Sequence, residues 1–337
     1  MKIDVPNLSI IRNVRKKLSP YVIETPTCHL ESDTVSSIID SKIFAKLELF
    51  QKTGTFKARA AINNVLAIET MPARITSVSA GNHAVAVAYA AKKLGADAKL
   101  VMFASANPFR IALTKSFGAE VIIAKNSKRA FELVSAIEKD EDRIFIHPFE
   151  GKRVTEATAG VGLELIQSVP DLDAVIVSVG GGGLASGVAC AVKQLSPKCA
   201  VYGVEPEGAA VMSLSFKLGR ETTLNEVNTI ADSLAPPMTT PYAYAICRQY
   251  LDKLVTVTDA QIAAAAMITF SDYKLAVEPA GATALAGLLG PLKRKLRGKK
   301  VGLVICGTNI DSHAFMDLIN TGQQELSKGI FDSNIIQ

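Results

Sequence analysis

At 337 residues, with 48% hydrophobic and 20% charged residues, the chain is long enough for about two domains of roughly 150 residues and too apolar to remain disordered. A net charge of +5 with no block of basic residues, no Trp and only 6% aromatics gives neither the electrostatic footprint nor the stacking platforms of a nucleic-acid binder. Apolar runs such as Ile262 to Ile268 fall far short of the ~20 residues that span a bilayer, and Asp4, Pro6 and Asn7 interrupt any signal-peptide core. Cysteines 28, 190, 199, 247 and 306 show no CxxC spacing, which argues against a zinc site or a disulfide framework and points to the cytoplasm.

Taken in chain order, Thr53, Gly54 and Thr55 punctuate the approach to a helix that starts near Phe56. Short β-branched runs then alternate with Ala-rich helical segments: ARITSVSA, GNHAVAVAYAAKKLGA, KLVMFA, NPFRIALTKSFGA and EVIIAK. Gly95 and Gly118 each close a helix before a strand. The rhythm resumes with RIFIHPF as a strand, a long helix around Gly160 to Ser168, DAVIVSVGGGG, LASGVACAVKQL and AVYGVEPEG. Residues 220–241 break it, because Pro236, Pro237 and Pro241 forbid a regular helix; this loop is free to approach a site. KKVGLVICGTNID supplies a late strand, and the tail after Asn320 is polar. Buried strands separated by helices of about 12 residues define an α/β fold with parallel sheets and helices on both faces.

Four places could carry chemistry. Gly180, Gly181, Gly182 and Gly183 follow a five-residue apolar strand and open a helix, so successive backbone N–H groups and the helix dipole form a phosphate cradle. GGGGLA also satisfies a degenerate dinucleotide pattern, with Glu205 placed at the end of the next strand to hold a ribose, which keeps a nicotinamide-dependent oxidoreductase open. Lys57, beside Phe56 in the first turn of its helix, has both the dipole and desolvation favouring the neutral, nucleophilic amine, although a surface lysine reads the same way in isolation. Ser79, Ala80, Gly81, Asn82 and His83 form a polar strand-to-helix turn able to bind a carboxylate; a helix cap by Ser79 or Asn82 accounts for the same residues. Cys306 lies at the carboxyl end of an apolar strand, where α/β folds place ligands and where a buried structural cysteine also fits.

In this order QKTGTFKAR, SAGNH, GGGGLASG, VEPEGA, TIADS, VEPAGA and CGTNID resemble the pyridoxal-phosphate enzymes of the tryptophan synthase β-like fold (fold type II), in the branch of the threonine and serine dehydratases with serine racemase. The resemblance runs from about Thr25 to Asp311. It implies two three-layer parallel-sheet domains with the cofactor in the cleft between them, a large one from 1–65 and 146–337 and a small one from 66–145, and no C-terminal regulatory domain. Lys57 is then the Schiff-base lysine, Gly180 to Gly183 hold the pyridoxal 5'-phosphate phosphate, Asn82 meets the ring 3'-oxygen, and Cys306 faces the pyridine nitrogen. Phe56 and Glu278 join the cofactor contacts, while Ser79, Ala80, Gly81, Asn82 and His83 receive the amino-acid substrate.

The implied reaction is a lyase reaction that removes the β-hydroxyl of L-threonine, L-serine or a related amino acid to give a 2-oxo acid and ammonia. A racemase or a 3-hydroxyaspartate dehydratase of the same fold is the alternative. Ala80 stands where serine racemase carries a proton-donating serine, which favours elimination over racemisation. Ala60, Val85, Ser233 and the EATAG segment at Glu156 to Gly160 depart from the family pattern, and Val211 stands where members with a divalent cation carry an acid, so no metal is expected. A homodimer is the expected assembly.

Overall fold

The alternation of apolar runs and Ala-rich segments resolves into two separate sheets in the computed structural model, which describes residues 3–332. The chain opens with α1 (Leu8–Leu18), β1 (Thr27–Leu30), α2 (Asp33–Ile38), β2 (Lys42–Leu47) and α3 (Lys57–Val65). It continues through β3 (Arg74–Val78), α4 (Asn82–Leu94), β4 (Asp97–Phe103), α5 (Pro108–Ser116), β5 (Glu120–Ala124), α6 (Ser127–Asp140) and β6 (Ile144–Phe145). After α7 (Lys152–Ser168) come β7 (Ala174–Ser178), α8 (Gly183–Leu195), β8 (Ala200–Pro206), α9 (Val211–Leu218), α10 (Pro241–Tyr250) and β9 (Lys253–Val257). The last elements are α11 (Asp259–Ser271), α12 (Pro279–Leu289), α13 (Lys293–Leu296), β10 (Lys300–Ile305) and α14 (Ser312–Ser327).

The larger sheet has the order β1-β2-β10-β7-β8-β9 and is parallel except for β1; the smaller, β5-β4-β3-β6, is parallel throughout. Every residue of β7 is buried, as expected for a strand covered by helices on both faces. Helix starts follow their local chemistry. Asn107 caps α5 ahead of a proline in its first turn, Asn126 caps α6, and Thr258 with Gln261 forms a capping box on α11. Gly95 and Gly118 adopt φ of 72° and 93°, which lets the chain turn back into the sheet after α4 and α5.

Two sequence expectations need correction. RIFIHPF is strand only at Ile144–Phe145; beyond it the chain leaves the sheet, and Pro148 has no N–H to offer a ladder. The helix expected around Gly160 begins at Lys152, so the EATAG segment lies inside it.

α3 packs Ala58, Ala61 and Ile62 with Val87 of α4 and Ile75 of β3, so its apolar face belongs with the smaller sheet. Its other side is held by charge. Arg59 donates to both oxygens of Glu48, just past β2, at 2.8 and 2.9 Å, and to both oxygens of Glu164 on α7 at 2.7 and 2.9 Å. Lys46 adds a 2.7 Å ion pair to Glu164, and all four side chains are buried. Each charge thus has an opposite partner and directional hydrogen bonds to offset its desolvation. Arg59→Met leaves both carboxylates without their main partner, and the expected loss is about 3–5 kcal/mol of stability. Urea unfolding checks this through a lower midpoint at unchanged slope.

Candidate active site

The carboxyl ends of β3 in the smaller sheet and of β7 and β10 in the larger one open onto one cavity of about 720 Å³, lined from both sides. This is where parallel α/β sheets present ligand sites, because the chain must turn there into helix N-termini. Lys57, Asn82, Gly180 to Gly183, Glu278 and Cys306 all line it, as do Phe56 and the Ser79 to His83 turn.

Lys57 is the first residue of α3, with Phe56 as N-cap. The start of this helix is tied to the end of β10: Phe56 N–H donates to the Cys306 carbonyl at 3.3 Å, and Thr55 bridges to Gly307. That tie sets Lys57 beside Cys306. Its Nζ donates to the Pro148 carbonyl at 2.7 Å and lies 5.2 Å from the Phe56 ring centroid. Burial pulls the ammonium down to about 8, against the opposing pull of the Glu278 carboxylate, so a neutral fraction exists near neutral pH.

The glycine run is packed from behind, which explains its composition. A Cβ on Gly181 would stand 2.4 Å from the Phe149 ring, and one on Gly183 2.9 Å from the Phe149 backbone. Gly182 has φ +89° and is the N-cap of α8, with no side chain capping that helix. N–H groups left without a side-chain cap at a helix start that faces a cavity are able to hold an anion.

In the SAGNH turn the N-cap of α4 is Gly81 and no side chain caps the helix, so the capping alternative for Ser79 and Asn82 does not hold. The Ser79 hydroxyl instead accepts from Gly81 N–H at 3.1 Å. Asn82 donates to both oxygens of Glu278, at 2.7 and 3.0 Å, and to Ser233 at 3.1 Å, while its carbonyl accepts from Asn309 at 2.8 Å. His83 Nε2 lies 2.9 Å from the Ile146 carbonyl, which can only accept, so that nitrogen carries the proton. Burial, aided by Lys57, drops this imidazole to about 3 and keeps it neutral.

Arg110, which sequence reasoning did not single out, organises this side of the cavity. From α5 it pairs with Asp232 at 2.5 Å and Glu278 at 3.1 Å and donates to the Asn309 carbonyl at 2.9 Å. It passes where Gly81 has no side chain; a Cβ there would stand 2.8 Å from Nη1. Burial would weaken the guanidinium's charge, but Glu278 and Asp232 outweigh it. The thiol of Cys306 donates to the Ala280 carbonyl at 3.3 Å, and burial followed by Glu278 pushes it well above its usual range. It stays neutral.

Residues 220–241 do approach the site: Leu224, Val227 and Met238 form one wall. Glu205 points elsewhere. Its carboxylate accepts from Met212 N–H at 2.7 Å and Ser213 N–H at 2.8 Å, capping α9 rather than facing a ribose. Among the described residues no cluster of three or more His, Cys, Asp or Glu could hold a metal ion.

A family model described as pyridoxal-phosphate dependent enzyme matches residues 18–307. The phenylserine dehydratase of Ralstonia pickettii is 47% identical over 94% of this chain and 98% of its own length. The L-threonine ammonia-lyase of Thermotoga maritima is 34% identical over 96% of this chain and 80% of its own. The solved structure of maize serine racemase superposes with a TM-score of 0.87 at 30% identity, covering 96% of this chain and all of that one.

Proposed function

Since the chain belongs to the family of pyridoxal-phosphate-dependent enzymes, we propose that it is an ammonia-lyase converting a β-hydroxy-α-amino acid into a 2-oxo acid and ammonia, with one water lost and one regained. The observation that carries the reading is Lys57: a half-buried amine, lowered toward neutrality, in the same cavity as the uncapped glycine-lined start of α8. The residues fit the cofactor. The cradle from Gly180 to Gly183 admits a phosphate where side chains could not be housed, and the neutral Cys306 thiol suits contact with an unprotonated ring nitrogen. When bound, the cofactor supplies an aldehyde that captures amines and a conjugated ring that stabilises negative charge at Cα.

The chain's own residues do the rest. Lys57, as the neutral amine, removes the Cα proton as general base. Backbone N–H groups of the Ser79 to His83 turn hold the substrate carboxylate, and the Asn82–Glu278–Arg110 network fixes the orientation of that turn. Ala80 offers only a methyl group, so no donor at that position returns a proton from the face opposite Lys57. The named relatives act, by their names, on β-hydroxy amino acids. A racemase is the second reading, favoured by the likeness to serine racemase. A cytoplasmic homodimer, with 1–65 and 146–337 forming one domain and 66–145 the other, completes the proposal.

Incubation with L-serine or L-threonine should release oxo acid and ammonia in equal amounts with little D-isomer. Chiral chromatography at partial conversion tests this, and D-isomer accumulating as fast as oxo acid would select the racemase. A pH series provides another expectation. Capture of added pyridoxal phosphate by the cofactor-free protein needs the deprotonated amine, so its rate rises with pH through a midpoint of about 8. A midpoint near the 10.5 of an ordinary lysine would mean that Lys57 is not the group captured.

A further inference from the structure

The cavity wall beyond Lys57 is aromatic. The Lys57 amine meets the Pro148 carbonyl, and on either side of that proline the rings of His147 and Phe149 lie 4.8 Å apart, edge to face. Phe149 packs against the glycine cradle at one end; at the other His147 meets Phe145 at 5.9 Å. The line of rings therefore starts at the reactive amine and leads outward, across the ends of the smaller sheet. There a small apolar core of Val78, Val101 and Val134 continues into the same cavity as half-buried Phe103 and Phe145. Phe131 of α6 stands at this wall 49% exposed, an aromatic ring that gains by being covered with apolar surface.

Charge narrows what can cover it. Among the described residues lining the cavity the Lys and Arg side chains are Lys57, which is the reactive amine, and Arg110, which is already paired with Asp232 and Glu278. Glu138 and Glu226 lie on the walls. A substrate side chain ending in a carboxylate would find two acids and no available cation, and a methyl group would leave most of the aromatic wall wet.

We propose that Phe103, Phe131, Val134 and Phe145 form the subsite for the substituent on the substrate's β-carbon and that this substituent is an aryl group. The inference rests on the dehydratase reading above. Aromatic side chains favour edge-to-face and offset contacts with another ring, which the spacing of Phe145, His147 and Phe149 already displays.

The test compares oxo-acid release by the holoenzyme from L-threo-phenylserine, L-threonine and L-threo-3-hydroxyaspartate. The expected kcat/KM for phenylserine exceeds that for threonine about tenfold or more, with hydroxyaspartate the poorest. Phe131→Ala should lower the phenylserine-to-threonine ratio about fivefold. Phe131→Arg should shift preference toward hydroxyaspartate by supplying the missing cation; the position is exposed, so folding is not at stake. Threonine turned over as efficiently as phenylserine, or a ratio unmoved by both replacements, overturns the subsite and leaves the dehydratase standing. Release from none of the three overturns the dehydratase itself.

Discussion

Lys57→Ala should yield a folded protein that is colourless after incubation with pyridoxal phosphate, whereas the unaltered protein should be yellow. The methyl group of alanine can neither capture the aldehyde nor take a proton from Cα. Loss of a positioned general base alone costs roughly 10²–10⁴-fold in rate, and loss of covalent attachment adds to it. Folding should survive because the Lys57 side chain donates its hydrogen bond to the Pro148 carbonyl and contributes no share of the apolar core, while its backbone bonds are kept by alanine. Visible absorbance and oxo-acid release are the two readouts. A variant that keeps its colour would mean that another amine is captured; one that loses colour but keeps turnover would break the link between cofactor and chemistry.

Gly182→Val should weaken cofactor binding about 100-fold. Its φ of +89° is a conformation that a β-branched residue adopts only at a cost of about 1–3 kcal/mol, and relief of that strain must move the loop. The direction of the added Cβ is informative. It points into Met212 at 2.7 Å and Ala243 and Cys247 at 3.3 Å, so the damage comes through the packing beneath the cradle. Met212 and Cys247 can shift in part, which is why the fold is expected to persist while the N–H groups lose their convergence. Equilibrium titration of the cofactor-free variant with pyridoxal phosphate, beside its circular dichroism, checks this. Undiminished affinity would reduce the glycines to a turn.

The features legible in sequence are those whose physics is local. A glycine run between an apolar strand and a helix, a lysine in a first helical turn and a polar SAGNH turn each announce themselves within a dozen residues, and all three line one cavity. The order of the larger sheet is not local: β10, near the end of the chain, inserts between β2 and β7. Arg110 escaped for the same reason. Its partners Asp232, Glu278 and Asn309 lie more than a hundred residues away, and nothing in NPFRIALTK distinguishes it from a solvated helix arginine. The aromatic wall was hidden by its resemblance to a strand. The alternation in RIFIHPF does put Phe145, His147 and Phe149 in line, but it serves the cavity and not a sheet.

The grip of Arg59 on Glu48 and Glu164 also constrains how this protein can change over generations. Replacing any one of the three leaves the buried cluster they form with Lys46 one charge out of balance, so a stepwise path to an uncharged version passes through a destabilised intermediate. Lys57 lies two positions before Arg59 on the same helix, so the placing of that amine in the cavity depends on side chains that do not line it.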